Sequence, residues 1–222
     1  PVQRQSDNDL RSVTVPDGIK AIGEGAFESC ESLETVTIGN GVTTIGTGAF
    51  YGCISLETLT IGNRVQAIGD WAFSECENLV SVSIPDSVTA IGADAFCSCG
   101  SLTAIEVGDG NTAYCDVDGV LFSKDKTDLL AYPAGKTAAS YAIPVGVTAV
   151  WECALYECVN LETVAVPDGV QTIGDSAFQG CDALKELTLP DSVVSIGDWS
   201  FSVCTSLSAV TLSAGLTAIA GS

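Results

Sequence analysis

The sequence predicts a repeat solenoid, mainly β with short helical or 3-10 turns, wound in 23-residue coils with one irregular coil of 36 residues. Two observations carry that expectation. Ile-Gly pairs begin at Ile22, Ile45, Ile68, Ile91, Ile173 and Ile196, and an Ala-Phe aromatic follows at Phe27, Phe50, Phe73, Phe96 and Phe178, with Phe201 after a Ser. The step is 23 residues wherever it is unbroken. Seven cysteines, Cys30, Cys53, Cys76, Cys99, Cys158, Cys181 and Cys204, keep the same register, three residues after the aromatic position. A fixed period of about 20 to 30 residues marks an array in which each unit buries its apolar face only by stacking on its neighbours. The whole chain, 1–222, therefore reads as one domain.

Within each coil the elements follow in a set order. Residues 1–9 are polar and match no repeat, which reads as a frayed or capping start. From Leu10 onward, a leucine (Leu33, Leu56, Leu79, Leu102, Leu161, Leu184 and Leu207) opens a short strand whose alternate residues point inward, such as Val36/Ile38 and Val82/Ile84. A reversal follows, either Pro-Asp-Gly/Ser (Pro16 to Gly18, Pro85 to Ser87, Pro167 to Gly169, Pro190 to Ser192) or Gly-Asn (Gly39, Gly62). Asp in such a turn is expected to bond its own backbone. A second extended stretch, such as Val88 to Ile91, crosses the opposite side and ends at a glycine, where a positive φ is expected. The Ala-Phe segment then turns, its aromatic plugging the core and its cysteine closing the corner. One strand per coil should align in parallel as a sheet down one side.

One interval breaks the period. Ile91 and its counterpart Val150 lie 59 residues apart, so a coil spanning 108–140 is 13 residues too long and lacks the Ile-Gly, Ala-Phe and Cys positions. Inside it, Val120 to Ser123 and Asp128 to Tyr132 flank Lys124 to Thr127 and predict a hairpin over 119–132. Three of the eight basic residues, Lys124, Lys126 and Lys136, fall in this coil. After it the array resumes with Trp151 in place of the glycine and Leu155 in place of the Phe, and it stops at Ser222 without an aromatic or cysteine.

Composition narrows the function classes. Hydrophobic residues make up 46% and charged residues 16%, enough apolar material for a continuous core. The net charge of −20, with no His, leaves no basic footprint for nucleic acid or an anionic membrane surface. No apolar run approaches the roughly 20 residues of a spanning helix, so direct membrane insertion is not expected, and self-repulsion suits a monomer in isolation. The chain opens at Pro1 rather than Met, as a processed or excised piece would. The seven in-register cysteines are expected to be free, buried thiols; whether Cys97, Cys115 and Cys153, which lie off that register, pair is left open.

Chemistry-bearing motifs are scarce. With no His, no Gly-rich phosphate loop, no nucleophile elbow and no paired-cysteine zinc spacing, catalysis, a metal site and a cofactor are not expected. Asp116 to Gly119 starts like a calcium loop, but Thr127 stands where its acidic closing ligand belongs, so a solvated turn is expected. The outward strand positions are more informative. Thr35, Thr37, Thr58, Thr60, Ser81, Ser83, Glu106, Thr163, Glu186 and Thr188 form a ladder of mostly small polar side chains at about 4.8 Å per rung. Such residues suit exposed strand positions for reasons of β-propensity alone, and a regular sheet face is also where solenoids bind extended partners.

The strand, the Pro or Gly turn, the Ile-Gly, the Ala-Phe and the cysteine together resemble the BspA-like, Treponema pallidum type of leucine-rich repeat over about residues 10–219. Even the irregular coil, Asp118 to Thr127 with Tyr132 Pro133, looks like the unit that interrupts such arrays. The resemblance implies a right-handed leucine-rich-repeat superhelix and a surface-exposed or secreted protein of bacteria or protists. Adhesion to host matrix proteins or neighbouring cells would be its role, with no catalytic residues. Three functions are expected from these readings. The first is a protein-binding adhesion module using the strand face. The second is a spacer or accessory subunit that docks into a larger assembly through Phe122, Lys124, Lys126 and Tyr132. The third, minor, is ice binding through the Thr ladder.

Overall fold

A computed structural model of the protein describes residues 9–217. The expected frayed start and the end of the last coil fall largely outside them. Each coil contributes one strand to a first side of the stack: β1 (Ser12–Val15), β3 (Thr35–Ile38), β5 (Thr58–Thr60), β7 (Ser81–Ile84), β9 (Ala104–Val107), β13 (Ser140–Ala142), β15 (Thr163–Ala165), β17 (Glu186–Thr188) and β19 (Ala209–Thr211). Shorter strands line the opposite side: β2 (Ala21–Ile22), β4 (Thr44–Ile45), β6 (Ala67–Ile68), β8 (Ala90–Ile91), β12 (Asp128–Ala131), β14 (Ala149–Val150), β16 (Thr172–Ile173) and β18 (Ser195–Ile196). β10 (Tyr114–Val117) and β11 (Val120–Ser123) belong to the irregular coil alone.

Neighbouring strands pair in parallel at the register the repeat demands, Val13 beside Val36 and Val36 beside Leu59. The expected single sheet on the first side is instead three: β1-β3-β5, β7-β9 and β13-β15-β17-β19. On the second side, β2-β4-β6-β8 is followed by a separate sheet, β10-β11-β12-β14-β16-β18. Both sides are thus interrupted at the irregular coil.

The Ala-Phe segment departs from expectation: no helix forms among the described residues. Its amides alternate between two uses. In the second coil Ala49, Tyr51 and Cys53 donate three residues back, to Gly46, Gly48 and Phe50. Gly48, Phe50 and Gly52 donate forward to Asp70, Ala72 and Ser74 of the next coil, at 2.8 to 2.9 Å. Left-handed backbone at Gly48 (φ 57°) and Gly52 (φ 68°) turns alternate amides outward, which a continuous helix would not allow.

Positive φ therefore sits two and six residues after the Ile-Gly glycine, not on it. That glycine answers a different need. A Cβ at Gly46 would lie 2.7 Å from the Glu24 nitrogen and 2.7 Å from the Gly23 carbonyl carbon, so the coils touch backbone to backbone there. Trp151 occupies this position after the irregular coil, whose Leu130 and Ala131 are strand residues.

The interior is a column of Val, Leu, Ile, Phe and Cys with almost no exposure. The rings of Phe27, Phe50, Phe73 and Phe96 stack at 5.1, 5.3 and 5.8 Å, a geometry favourable for aromatic pairs when offset. The apolar interior divides into two blocks at β11: Leu121 packs into the N-terminal block, while Val120 and Phe122 pack into the C-terminal one.

All ten cysteines are free thiols. The in-register ones from Cys53 onward are more than small hydrophobes: each of these six donates to the carbonyl at the aromatic position of the preceding coil. Cys53 reaches Phe27 O at 3.2 Å, Cys99 reaches Phe73 O at 3.2 Å and Cys204 reaches Phe178 O at 3.0 Å. Burial pushes the Cys53 and Cys99 thiols up to about 12, which keeps them protonated donors at neutral pH.

Candidate functional site

The outward ladder is where the period placed it. Thr58, Thr60, Ser81, Ser83, Glu106, Thr163, Glu186 and Thr188 are exposed, and Thr35 and Thr37 are half-buried. Thr35 lies beside Thr58, Thr37 beside Thr60, Ser83 beside Glu106 and Thr188 beside Thr211. The turn aspartates on the same coils do not satisfy their own backbone as expected. Asp17 Oδ1 accepts from the amide of Asn40 at 2.6 Å, and Asp191 Oδ1 accepts from Ala214 at 3.0 Å, each one coil further on. They act as staples between coils, where a turn-capping Asp would act locally.

The irregular coil holds the features that sequence reasoning placed least well. The hairpin between Val120 and Ala131 is present, with β11 antiparallel to β12. A second hairpin precedes it: β10 and β11 pair through Asp118 and Gly119, both at positive φ (53° and 74°), as a two-residue turn requires. Asp116 binds this turn, accepting from Val107 N at 2.9 Å and Gly119 N at 3.3 Å. Its carboxylate is thus committed to backbone donors. Asn111, buried and unremarked in the sequence, donates to Pro85 O and Val88 O and accepts from Ala113 N and Tyr114 N, so all its polar capacity is used.

Two of the four expected docking residues are unavailable. Phe122 is fully buried and Tyr132 is 5% exposed. β11 has coils on both faces, so alternation along it does not alternate core with solvent. Tyr132 takes the place of the repeat's Phe: its amide donates to Ala154 O at 2.7 Å, and its carbonyl faces the Cys158 thiol. The Ala131-Tyr132 dipeptide is the sequence signal for this, an Ala-Phe in another form. Lys124 and Lys126 are exposed on the turn before β12. Lys136 donates to Asp118 O at 2.7 Å, at the opposite end of β11, so the three lysines do not form one patch.

The stack has a gap beside this coil. Trp71, Phe73 and Glu75 donate forward to Ala93, Ala95 and Cys97, but the equivalent amides of Asp94, Phe96 and Ser98 make no such bond. Only Tyr132 supplies a forward bond from the irregular coil, and the Ile91 amide donates to the Tyr114 hydroxyl at 2.9 Å. A cavity of about 230 Å³ opens where the rung is incomplete.

Its lining includes the carboxylates of Asp94, Asp128 and Glu152 and no Lys or Arg. Asp94 Oδ2 accepts from Trp71 Nε1 at 3.2 Å, while its Oδ1 is shielded from solvent and has no hydrogen-bond partner. Burial, with Asp94, Asp175 and Asp70 nearby, raises the Glu152 carboxyl above its ordinary range. The Cys153 thiol, beside Cys97 and Asp94, is likewise driven well up, first by its hydrogen bond with Cys97 and then by burial. Among the described residues no group of three or more His, Cys, Asp or Glu could hold a metal ion. Among the described residues no helix is long and apolar enough to cross a membrane.

These repeats match the BspA type leucine rich repeat region in six copies, over residues 5–117 and 134–222. The chain belongs to that family of leucine-rich-repeat solenoids. The pneumococcal vaccine antigen PcpA is similar in structure, with 26% identity and a TM-score of 0.78 over 95% of this chain and 65% of that one. A leucine-rich repeat protein from Eubacterium ventriosum has 27% identity and a TM-score of 0.60 over 95% of this chain and 75% of its own. A leucine-rich repeat protein of T. pallidum has 25% identity and a TM-score of 0.52 over 79% of this chain and 78% of its own. The chain thus spans just under two thirds of PcpA. No curated protein matches it.

Proposed function

We propose that the chain is a non-enzymatic, cell-surface or secreted binding module that holds a protein partner against its first-side strand face. The observation that carries this reading is the register of small hydroxyl side chains, Thr35 beside Thr58 and Thr37 beside Thr60, on exposed or half-buried positions above a fully packed interior. A face of short side chains fixed by the coil stack loses little conformational entropy when a partner covers it. The similarity to a pneumococcal vaccine antigen supports a surface setting. Division of the face into three sheets, with Glu106 and Glu186 exposed on it, suits a partner read in segments better than a flat array for ordering water.

A panel of purified extracellular-matrix proteins and whole host cells tests this directly. Lys at Thr37, Thr60 and Ser83 together should lower affinity for whichever target the native chain binds by at least about tenfold, because three long charged side chains would stand on the contact. Undiminished binding by the correctly folded triple variant would remove the face from the account. The alternative, docking into an assembly through the irregular coil, now rests on the exposed Lys124 and Lys126, since Phe122 and Tyr132 are buried.

A further inference from the structure

The cavity beside the irregular coil is separate from the strand face and has a chemistry of its own. Phe96, Tyr114, Tyr132, Trp151 and Tyr156 contribute to its wall, and its only formally charged side chains are Asp94, Asp128 and Glu152. Its volume of about 230 Å³ exceeds the roughly 150 Å³ that holds a benzene ring in an apolar cavity.

Why the space exists follows from the repeat. Every complete coil places an Ala-Phe segment or its equivalent, Ala154-Leu155 or Ser200-Phe201, in the stack, whereas the irregular coil supplies only Ala131-Tyr132, leaving the forward amides of Asp94, Phe96 and Ser98 without backbone acceptors. Beside them, Asp94 Oδ1 has no nitrogen- or oxygen-borne donor and only the Cys153 thiol near it, although a buried carboxylate oxygen is costly to leave poorly paired. The neighbouring Cys153 thiol is too weak a donor to replace one. Concave, aromatic-walled space with a few convergent polar groups is the usual form of a small-molecule site. Carboxylates set among aromatic faces select a cation over a neutral or anionic guest.

We propose that this cavity binds a small organic ammonium ion with a cyclic or aromatic body. The ring fills the apolar wall, the ammonium N–H reaches the Asp94 carboxylate, and Glu152 and Asp128 keep the mouth negative. The net charge of −20 draws such cations toward the molecule. Nothing in this assignment depends on the strand face, and either site could fail with the other intact.

Benzylammonium is the probe, with benzyl alcohol as its neutral counterpart, followed by calorimetry and by amide chemical shifts of the whole chain. The expected result is saturable binding of benzylammonium at least about tenfold tighter than the alcohol, since one charge-assisted contact is worth roughly that factor. Shifts should centre on Asp94, Phe96 and Cys153 and persist at about 1 M salt, where a screening length of about 3 Å abolishes loose surface attraction. Asp94→Asn, a residue type that tolerates the left-handed φ of 54° there, should erase the preference for the cation. Ala131→Leu, which fills the space, should weaken both probes. Equal binding of the two probes, no saturation, or shifts confined to acidic surface elsewhere would overturn the assignment, and the two-probe comparison on the native chain holds whether or not either variant folds.

Discussion

The Cys181 thiol donates to the main-chain carbonyl of Leu155, one coil back, at 3.1 Å. The same bond recurs from Cys76 to Phe50 O at 3.4 Å. A buried thiol here does two things at once, filling a corner of the core and tying successive coils together. Cys181→Val keeps the apolar volume and removes the donor, so it should destabilise by about 1 kcal/mol, the net worth of a hydrogen bond. Cys181→Ala adds a cavity and should cost about 2 kcal/mol. Urea denaturation measures both, and equal stability of Val and native chains would show that the thiol only packs.

Stability should fall at alkaline pH. Folded-state values of about 12 for Cys53 and Cys99 and about 11 for Cys204 lie above the ordinary thiol value of 9.0, chiefly through burial. Tyr51, whose hydroxyl donates to Glu75 Oε1 at 2.5 Å, is raised to about 12 chiefly by that bond. Each raised value means that the folded chain holds its proton more tightly than the unfolded one. The stabilisation is therefore complete below pH 9 and is lost as pH climbs from 9 to 12. Thermal melts across that window should show a progressive drop, and a flat profile would contradict the buried-thiol reading.

Two glycines two residues apart should respond differently to alanine. At Gly46 a Cβ meets backbone of the preceding coil at 2.7 Å, so Gly46→Ala should cost roughly 2 kcal/mol or more through forced separation of coils. At Gly48 the nearest atom is Tyr51 Cβ at 3.7 Å and only the φ of 57° opposes a side chain, so Gly48→Ala should cost about 1 kcal/mol. A reversed order in denaturant midpoints would refute the close-approach explanation.

Tyr132 should behave as core. Tyr132→Phe is expected to be nearly neutral, whereas Tyr132→Ala should cost about 3 to 5 kcal/mol, as truncating a buried aromatic does. A Tyr132→Ala chain as stable as the native one would return the residue to the surface.

Much of the fold was legible because a 23-residue step repeats every constraint. The strand positions, the inward Phe and Cys and the outward Thr all follow from it. Where the step breaks, single-segment patterns stand alone: they locate the hairpin between Val120 and Ala131 but not which of its side chains are buried. A hairpin normally shows one face to water, yet β11 is walled in by coils on both sides, which buries Phe122, and Tyr132 fills the aromatic position of the coil. An Asp-Gly pair such as Asp118-Gly119 suits a two-residue hairpin turn, which is what it forms between β10 and β11. The cavity could not be read from the sequence at all, since it arises from hydrogen bonds that Asp94, Phe96 and Ser98 fail to make across the irregular coil.

Amide hydrogen exchange addresses the stacked-coil account most directly. Forward bonds at Gly48, Phe50 and Gly52, and at Ser176, Phe178 and Gly180, should protect those amides, while Asp94, Phe96 and Ser98 exchange at least about a hundredfold faster. Uniform protection along all of these turn segments would mean that the rung beside the irregular coil is complete and the cavity closed.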